Sequence, residues 1–167
     1  FTDSTYREDF LDEITSEIEE LSTLGADPVE TPMSWVGFGH LLRSKQMKLK
    51  TFLTDQSMIA GIGNIYSDEI LFDSGLRYDR DTDSPTTQEI RRLYRSLVEI
   101  LHEAIKYGGS TLSDEQYVDL NGKPGDYQQH HQVYDREKQP CRRCRRHDIV
   151  KSKFAGRSTF YCAVCQV

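Results

Sequence analysis

No stretch of the 167 residues approaches the roughly 18–20 consecutive apolar side chains that a membrane span needs. No basic segment followed by an apolar one marks a secretory signal. Internal repeats and low-complexity tracts are absent, and only five prolines and eleven glycines are present. Membrane-spanning, collagen-like and wholly disordered chains are therefore excluded. Methionine is missing from the first position, so a chain that opens at Phe1 reads as a fragment, a trimmed chain or a processed product.

What is present fits a polar globular chain, with 37% hydrophobic, 29% charged and 10% aromatic residues. The length suits one medium domain or two small ones, and would bury roughly 68–70% of the unfolded surface. A net charge of −6 argues at first against a polyanionic partner. The distribution argues differently, because residues 1–35 carry −9, residues 36–135 carry −4 and residues 136–167 carry +7. A phosphate meets the local patch rather than the total, and the C-terminal block is such a patch. A charge run alone is more often a solvated face.

Apolar spacing organises the first two thirds of the chain into helices. Residues 4–22 form an acidic amphipathic pattern, with Phe10, Leu11, Ile14, Ile18 and Leu21 on one face. A linker at 25–33 follows. Ser34 is placed to cap a helix carrying Trp35, Phe38, Leu41 and Leu42, and 51–56 predicts a short one. Gly61-Ile62-Gly63-Asn64 interrupts the pattern before it resumes over 65–74, where Gly75 closes it. Pro85 and the Thr86–Glu89 spacing predict the start of a long helix. Its apolar face is Ile90, Leu93, Tyr94, Leu97, Leu101, Ala104 and Ile105, and Gly108-Gly109 stop it. Residues 110–130 read as a long loop. The expected fold is mostly α with a small β unit at the C-terminus. Its divisions are an acidic helix at 1–24, a helical domain at 25–135 and a cysteine-bound unit at 136–167.

All four cysteines fall in two pairs, Cys141-x-x-Cys144 and Cys162-x-x-Cys165, separated by seventeen residues. Two residues between thiolates let one tight turn aim both sulfurs at a single ion, and two such turns complete a tetrahedron. Two disulfides would need a secreted chain, and a redox pair would want one motif beside a βαβ unit. Iron is open to the same four sulfurs. With four protein ligands the sphere is closed, so a zinc here is structural and binds no reactive water. Between the pairs, Gly156-Arg157-Ser158 reads as a hairpin tip with Arg157 directed outward. Such an arginine can enter a groove while Lys151, Arg142 and Arg143 meet phosphates, or it can be one exposed arginine among several.

Gly61-Ile62-Gly63-Asn64 lacks the third glycine and the preceding strand of a dinucleotide fingerprint. Two readings remain. One is a helix–turn–helix whose free amides, with Asn64 and Lys50, form an anion site. The other is a packing turn with Asn64 as N-cap.

Taken together, Lys50-Thr-Phe-Leu-Thr-Asp-Gln56, Gly61-Ile-Gly-Asn-Ile-Tyr-Ser-Asp-Glu69, Gly108-Gly-Ser-Thr-Leu112, Asn121-Gly-Lys-Pro-Gly125 and Ala155-Gly-Arg-Ser-Thr-Phe-Tyr-Cys162 resemble the C-terminal half of the formamidopyrimidine-DNA glycosylase / endonuclease VIII family. The resemblance runs from about Leu24 to the end. It implies a helix–two-turn–helix domain followed by a four-cysteine zinc finger, gripping damaged double-stranded DNA in base-excision repair. It also implies that Lys50 and Asn64 hold phosphates beside the lesion, and that Arg157 enters the minor groove. Glu69 then lies on the lesion side, facing a flipped base, and the loop at 110–130 can close over that base.

Departures qualify the resemblance. The family's nucleophile is an N-terminal proline followed by glutamate, and no proline here precedes a glutamate. No catalytic residue is therefore expected in this chain, which should be inactive alone as a DNA glycosylase/AP lyase. Ser113 stands where relatives often carry a basic residue. The gap between cysteine pairs is one residue longer than usual, and Arg145-Arg146-His147 replaces a Gly-Thr-Pro turn. His130 and His131 are expected to be exposed rather than ligands. Three functions follow: the DNA-binding portion of a repair glycosylase, a truncated non-catalytic paralogue, or a zinc-ribbon adaptor for an acidic protein. The first two imply a monomer in the cytoplasm, associated with the nucleoid if bacterial.

Overall fold

A computed structural model describes residues 34–108 and 127–167. The expected helix at 4–22, the linker at 25–33 and most of the expected 110–130 loop lie outside the described residues. Four helices come first: α1 (Trp35–Arg43), α2 (Leu49–Thr54), α3 (Asn64–Ser74) and α4 (Thr87–Lys106). A 3-10 turn at Tyr127–His130 follows, then an antiparallel hairpin of β1 (Val150–Phe154) and β2 (Arg157–Tyr161). This is the mostly helical fold with a small β unit expected from the sequence. No helix among the described residues is long and apolar enough to cross a membrane.

Local chemistry sets each helix boundary. Ser34 caps α1 by accepting the Gly37 amide at 3.1 Å. α2 begins two residues before the sequence expectation. Its first amides are satisfied from outside, Leu49 donating to the Arg80 carbonyl at 2.8 Å and Lys50 to that of Tyr78 at 3.2 Å. α4 opens with the full capping box: Glu89 N–H donates to Thr86 Oγ1, and Thr86 N–H to the Glu89 carboxylate. Such a cap stabilises a helix by about 1 kcal/mol. Gly75 ends α3 in the left-handed region (φ 76°), where a Cβ would also stand 3.4 Å from the Cys165 carbonyl oxygen.

Phe38, Leu42, Phe52, Ile70, Leu93 and Leu97 anchor one apolar core shared by the four helices. Ile105 departs from the expected face and is 59% exposed, because the last turn of α4 runs past this core, which ends at Leu101. A second, smaller core holds the C-terminal unit: Phe72 from α3, Val133, Ile149, Phe160 and two cysteines. The hairpin turns on Ala155 and Gly156, both at positive φ (51° and 80°), the two-residue geometry that suits strand twist. The tip is therefore one residue earlier than expected, and Arg157 is the first residue of β2, opposite Phe154.

Candidate nucleic-acid interface and metal centre

The four cysteine sulfurs lie within 4.8 Å of one another. Cys141 and Cys165 Sγ are 3.8 Å apart, and Cys144 and Cys162 Sγ are 3.7 Å apart. Zinc–sulfur bonds of about 2.3 Å in a tetrahedron put the sulfurs about 3.8 Å apart, so these two pairs already stand at the spacing a zinc ion needs. No cysteine is oxidised. Backbone amides already point at the sulfurs: Arg146 N–H donates to Cys144 Sγ and Cys165 N–H to Cys162 Sγ, both at 3.5 Å. The Arg146 amide helps hold the Cys144 thiol down to about 6, whereas burial pushes the Cys162 thiol up. All four protein ligands are present, so the one zinc is structural.

The turn before α3 serves the N-terminus of that helix. Gly63 is the N-cap and no side chain caps the first amides, which leaves them available to an anion. Asn64 is the first helical residue rather than the N-cap, which corrects the packing-turn reading. Its Nδ2 donates to the Ser158 carbonyl in β2 at 2.9 Å, while its Oδ1 is buried with no hydrogen-bond partner. Arg157, the residue before Ser158, is exposed. Its charge adds a minor opposition to protonation of Lys50, after burial and against the attraction of Asp68.

Lys50 is nevertheless not a surface charge. The residue is 3% exposed, and its ammonium sits 2.7 Å from Asp68 Oδ1. Burial pushes the Lys50 ammonium down and the Asp68 carboxyl up, and their mutual attraction opposes both shifts. The residue expected at a phosphate is thus paired, in this structure, with a buried carboxylate. Asp68 itself was missed by sequence reasoning. The available signal was two adjacent acids, Asp68 and Glu69, set among Ile65, Tyr66, Ile70, Leu71 and Phe72 in one helix.

Glu69, expected on the lesion side, is likewise engaged inside the fold. It is 1% exposed, and its two oxygens accept the backbone amides of Gln132, Val133 and Tyr134 at 2.7, 3.0 and 2.9 Å. Burial pushes its carboxyl up against the opposing pull of those three amides. It ties the 132–134 segment to α3 instead of facing open space. On the two sides of segment 109–126, Tyr107 and His130 stack at 4.0 Å. His130 is exposed as expected, but His131 is buried beside Tyr127 and Tyr134. Burial, with a smaller effect from His130, pushes His131 down to about 4.

The inner arginines of the finger are also engaged. Arg143 donates to the Phe72 carbonyl at 2.8 Å and lies 4.3 Å over the Phe72 ring, while Arg142 donates to the His131 carbonyl at 3.0 Å. Carbonyls at the end of α3 favour a cation, so the Arg143 contact docks the zinc unit on the helix, while Arg142 ties it to the 131 backbone. That use differs from the phosphate contacts expected of both residues. Lys151, also expected at a phosphate, is exposed on β1, with Nζ 5.7 Å from the centre of the Phe160 ring.

Comparison with known proteins identifies both units. Residues 24–116 match the formamidopyrimidine-DNA glycosylase H2TH domain, and residues 138–167 match the zinc finger found in FPG and IleRS. Formamidopyrimidine-DNA glycosylase of Thermus thermophilus is 45% identical over 150 residues, covering 90% of this chain and 56% of that protein. The Gluconobacter oxydans protein of the same name is 40% identical over 147 residues, covering 87% of this chain and 52% of the relative. The crystal structure of MutM (Fpg) from Thermus thermophilus superposes with a TM-score of 0.83 at 43% identity, over 91% of this chain and 57% of that one. Lactococcus lactis Fpg in complex with DNA containing an abasic site superposes with a TM-score of 0.80 at 35% identity, over 93% and 55%. The chain thus spans about half the length of the relatives it matches. Through its helix–two-turn–helix and zinc-finger units, the chain belongs to the formamidopyrimidine-DNA glycosylase family.

Proposed function

We propose that this chain is the DNA-gripping portion of a formamidopyrimidine-DNA glycosylase-like repair protein, binding duplex DNA at damaged or abasic sites during base-excision repair. The carrying observation is the N-terminus of α3, where no side chain caps the first amides and Asn64 Nδ2 ties the helix to the hairpin that presents Arg157. A phosphate accepts from the α3 amides, and Arg157 reaches the adjacent groove. The Lactococcus lactis relative bound to abasic-site DNA supports the same partner. Lys50 and Glu69 support this surface from within. The helical unit at 25–135 and the zinc finger at 136–167 act together. No residue for the chemistry of base removal is assigned within this sequence, and the compartment is the cytoplasm, with nucleoid association where the cell is bacterial.

Fluorescence anisotropy tests this reading, with the zinc-loaded chain titrated against a duplex holding a stable abasic analogue and against its undamaged match. Tighter binding to the abasic duplex is expected, weakening as salt rises. Removing one phosphate contact should lower the magnitude of the log K–log salt slope by about 0.9. Unchanged affinity in both Arg157→Ala and Asn64→Ala would overturn the assignment of this surface.

A further inference from the structure

The outer edge of β2 is covered by one turn of α3. The Ser158 carbonyl and the Phe160 N–H both face away from β1, and α3 meets both: Asn64 Nδ2 donates to the first and Asp68 Oδ2 accepts from the second at 3.0 Å. The spacings match. Four helical residues rise about 6.0 Å, and two strand residues span about 6.7 Å. Side chains at 64 and 68 therefore fall in step with backbone groups at 158 and 160, and the helix stands in for a third strand. A bare strand edge would otherwise be left unpaired.

Asp68 does more than fill that edge. Its Oδ1 also accepts the Thr159 hydroxyl at 2.6 Å and the Lys50 ammonium at 2.7 Å. A single buried carboxylate thus joins α2, α3 and β2, immediately beside the backbone that carries Arg157. We infer that Asp68, held by Lys50, is the positioning residue that keeps Arg157 in register with Asn64, so that the zinc finger and the helical unit grip DNA as one rigid surface. This rests on the reading of that surface as a DNA grip.

A double-mutant cycle with salt dependence separates positioning from mere stabilisation, using the zinc-loaded chain and the abasic-analogue duplex. Arg157→Ala is expected to weaken binding about tenfold at every salt concentration, as loss of a groove contact does. Asp68→Asn should reproduce that loss, and the double variant should bind about as well as either single one, since both remove the same contact. Losses that multiply, or an Asp68→Asn variant that binds like the parent, would overturn the inference. Asp68→Asn leaves Lys50 without its anion and can unfold the chain. Thr159→Val, which removes one donor and no charge, is therefore carried through the same cycle and decides the matter if Asp68→Asn does not fold. A second readout needs no DNA: hydrogen exchange at the Phe160 amide should accelerate in either variant while zinc stays at one per chain. Unchanged exchange would sink the clamp even if DNA binds. Faster exchange, with no DNA binding by the parent, would sink the DNA-grip reading and leave the clamp standing.

Discussion

The helical unit and the zinc unit solve the same problem of burial by opposite means. The helices share a core of large aliphatic and aromatic side chains, closed at its ends by caps and tertiary amide contacts. The finger has a core of six buried residues, two of them cysteines and one, Phe72, supplied by α3. Too small to bury enough surface alone, it depends on a metal and on its neighbour. Apolar area stabilises the first unit, and ligand geometry with docking stabilises the second.

The largest effect should come from breaking the finger. Chelation of zinc, or Cys141→Ser or Cys162→Ser, should unfold residues 136–167, because structural zinc contributes about 10–16 kcal/mol of apparent binding energy to small units. α4 amides should stay protected from exchange while those of β1 and β2 lose protection. Simultaneous collapse of both would show that the two units form one cooperative body. The reciprocal change is Leu97→Ala at the centre of the helical core, expected to cost about 2–5 kcal/mol. Thermal unfolding would read that loss. Zinc content should remain one per chain if the metal site is set by its own knuckles.

This contrast also explains what the sequence made legible. Helix α4 could be read because Ile90, Leu93, Leu97 and Leu101 repeat at the helical period behind a capping box. The zinc site could be read because two short pairs leave few other uses for four thiols. The contacts between the units were not legible, since no periodicity encodes them. Lys50, Asp68 and Glu69 look like surface charges in a list of residues, yet each is buried by an element far away in sequence. The separation of 94 positions from Asn64 to Ser158 hides the pairing that ties α3 to β2.

Glu69 gives a sharper test of that interface than either core. Three backbone amides converge on its carboxylate, and replacing it with alanine leaves them buried and unsatisfied. Loss of one such set costs about 2–3 kcal/mol. The expected result for Glu69→Ala is faster exchange at Gln132, Val133 and Tyr134 with the helical core unaffected. An unchanged exchange profile there would mean the segment is held by the finger's own contacts.

The smallest effect lies at His131, buried between Tyr127 and Tyr134 at the seam between the units. Burial lowers its folded-state pKa to about 4, against about 6.5 in an unfolded chain. Between those values the unfolded state binds a proton that the folded state refuses. Its contribution is therefore full above about pH 6.5 and is lost as pH falls toward about 4. One proton sets a limiting slope of about 1.4 kcal/mol per pH unit, and partial solvent access keeps the observed value below that limit. Replacing His131 with phenylalanine keeps a ring between the two tyrosines and removes the titration. Denaturant midpoints of parent and variant, measured from pH 7 to pH 5.5 with zinc content monitored, should therefore draw together as pH falls if the variant begins less stable. They should diverge in its favour if it does not. Parallel curves would place His131 in contact with water and remove it from the seam.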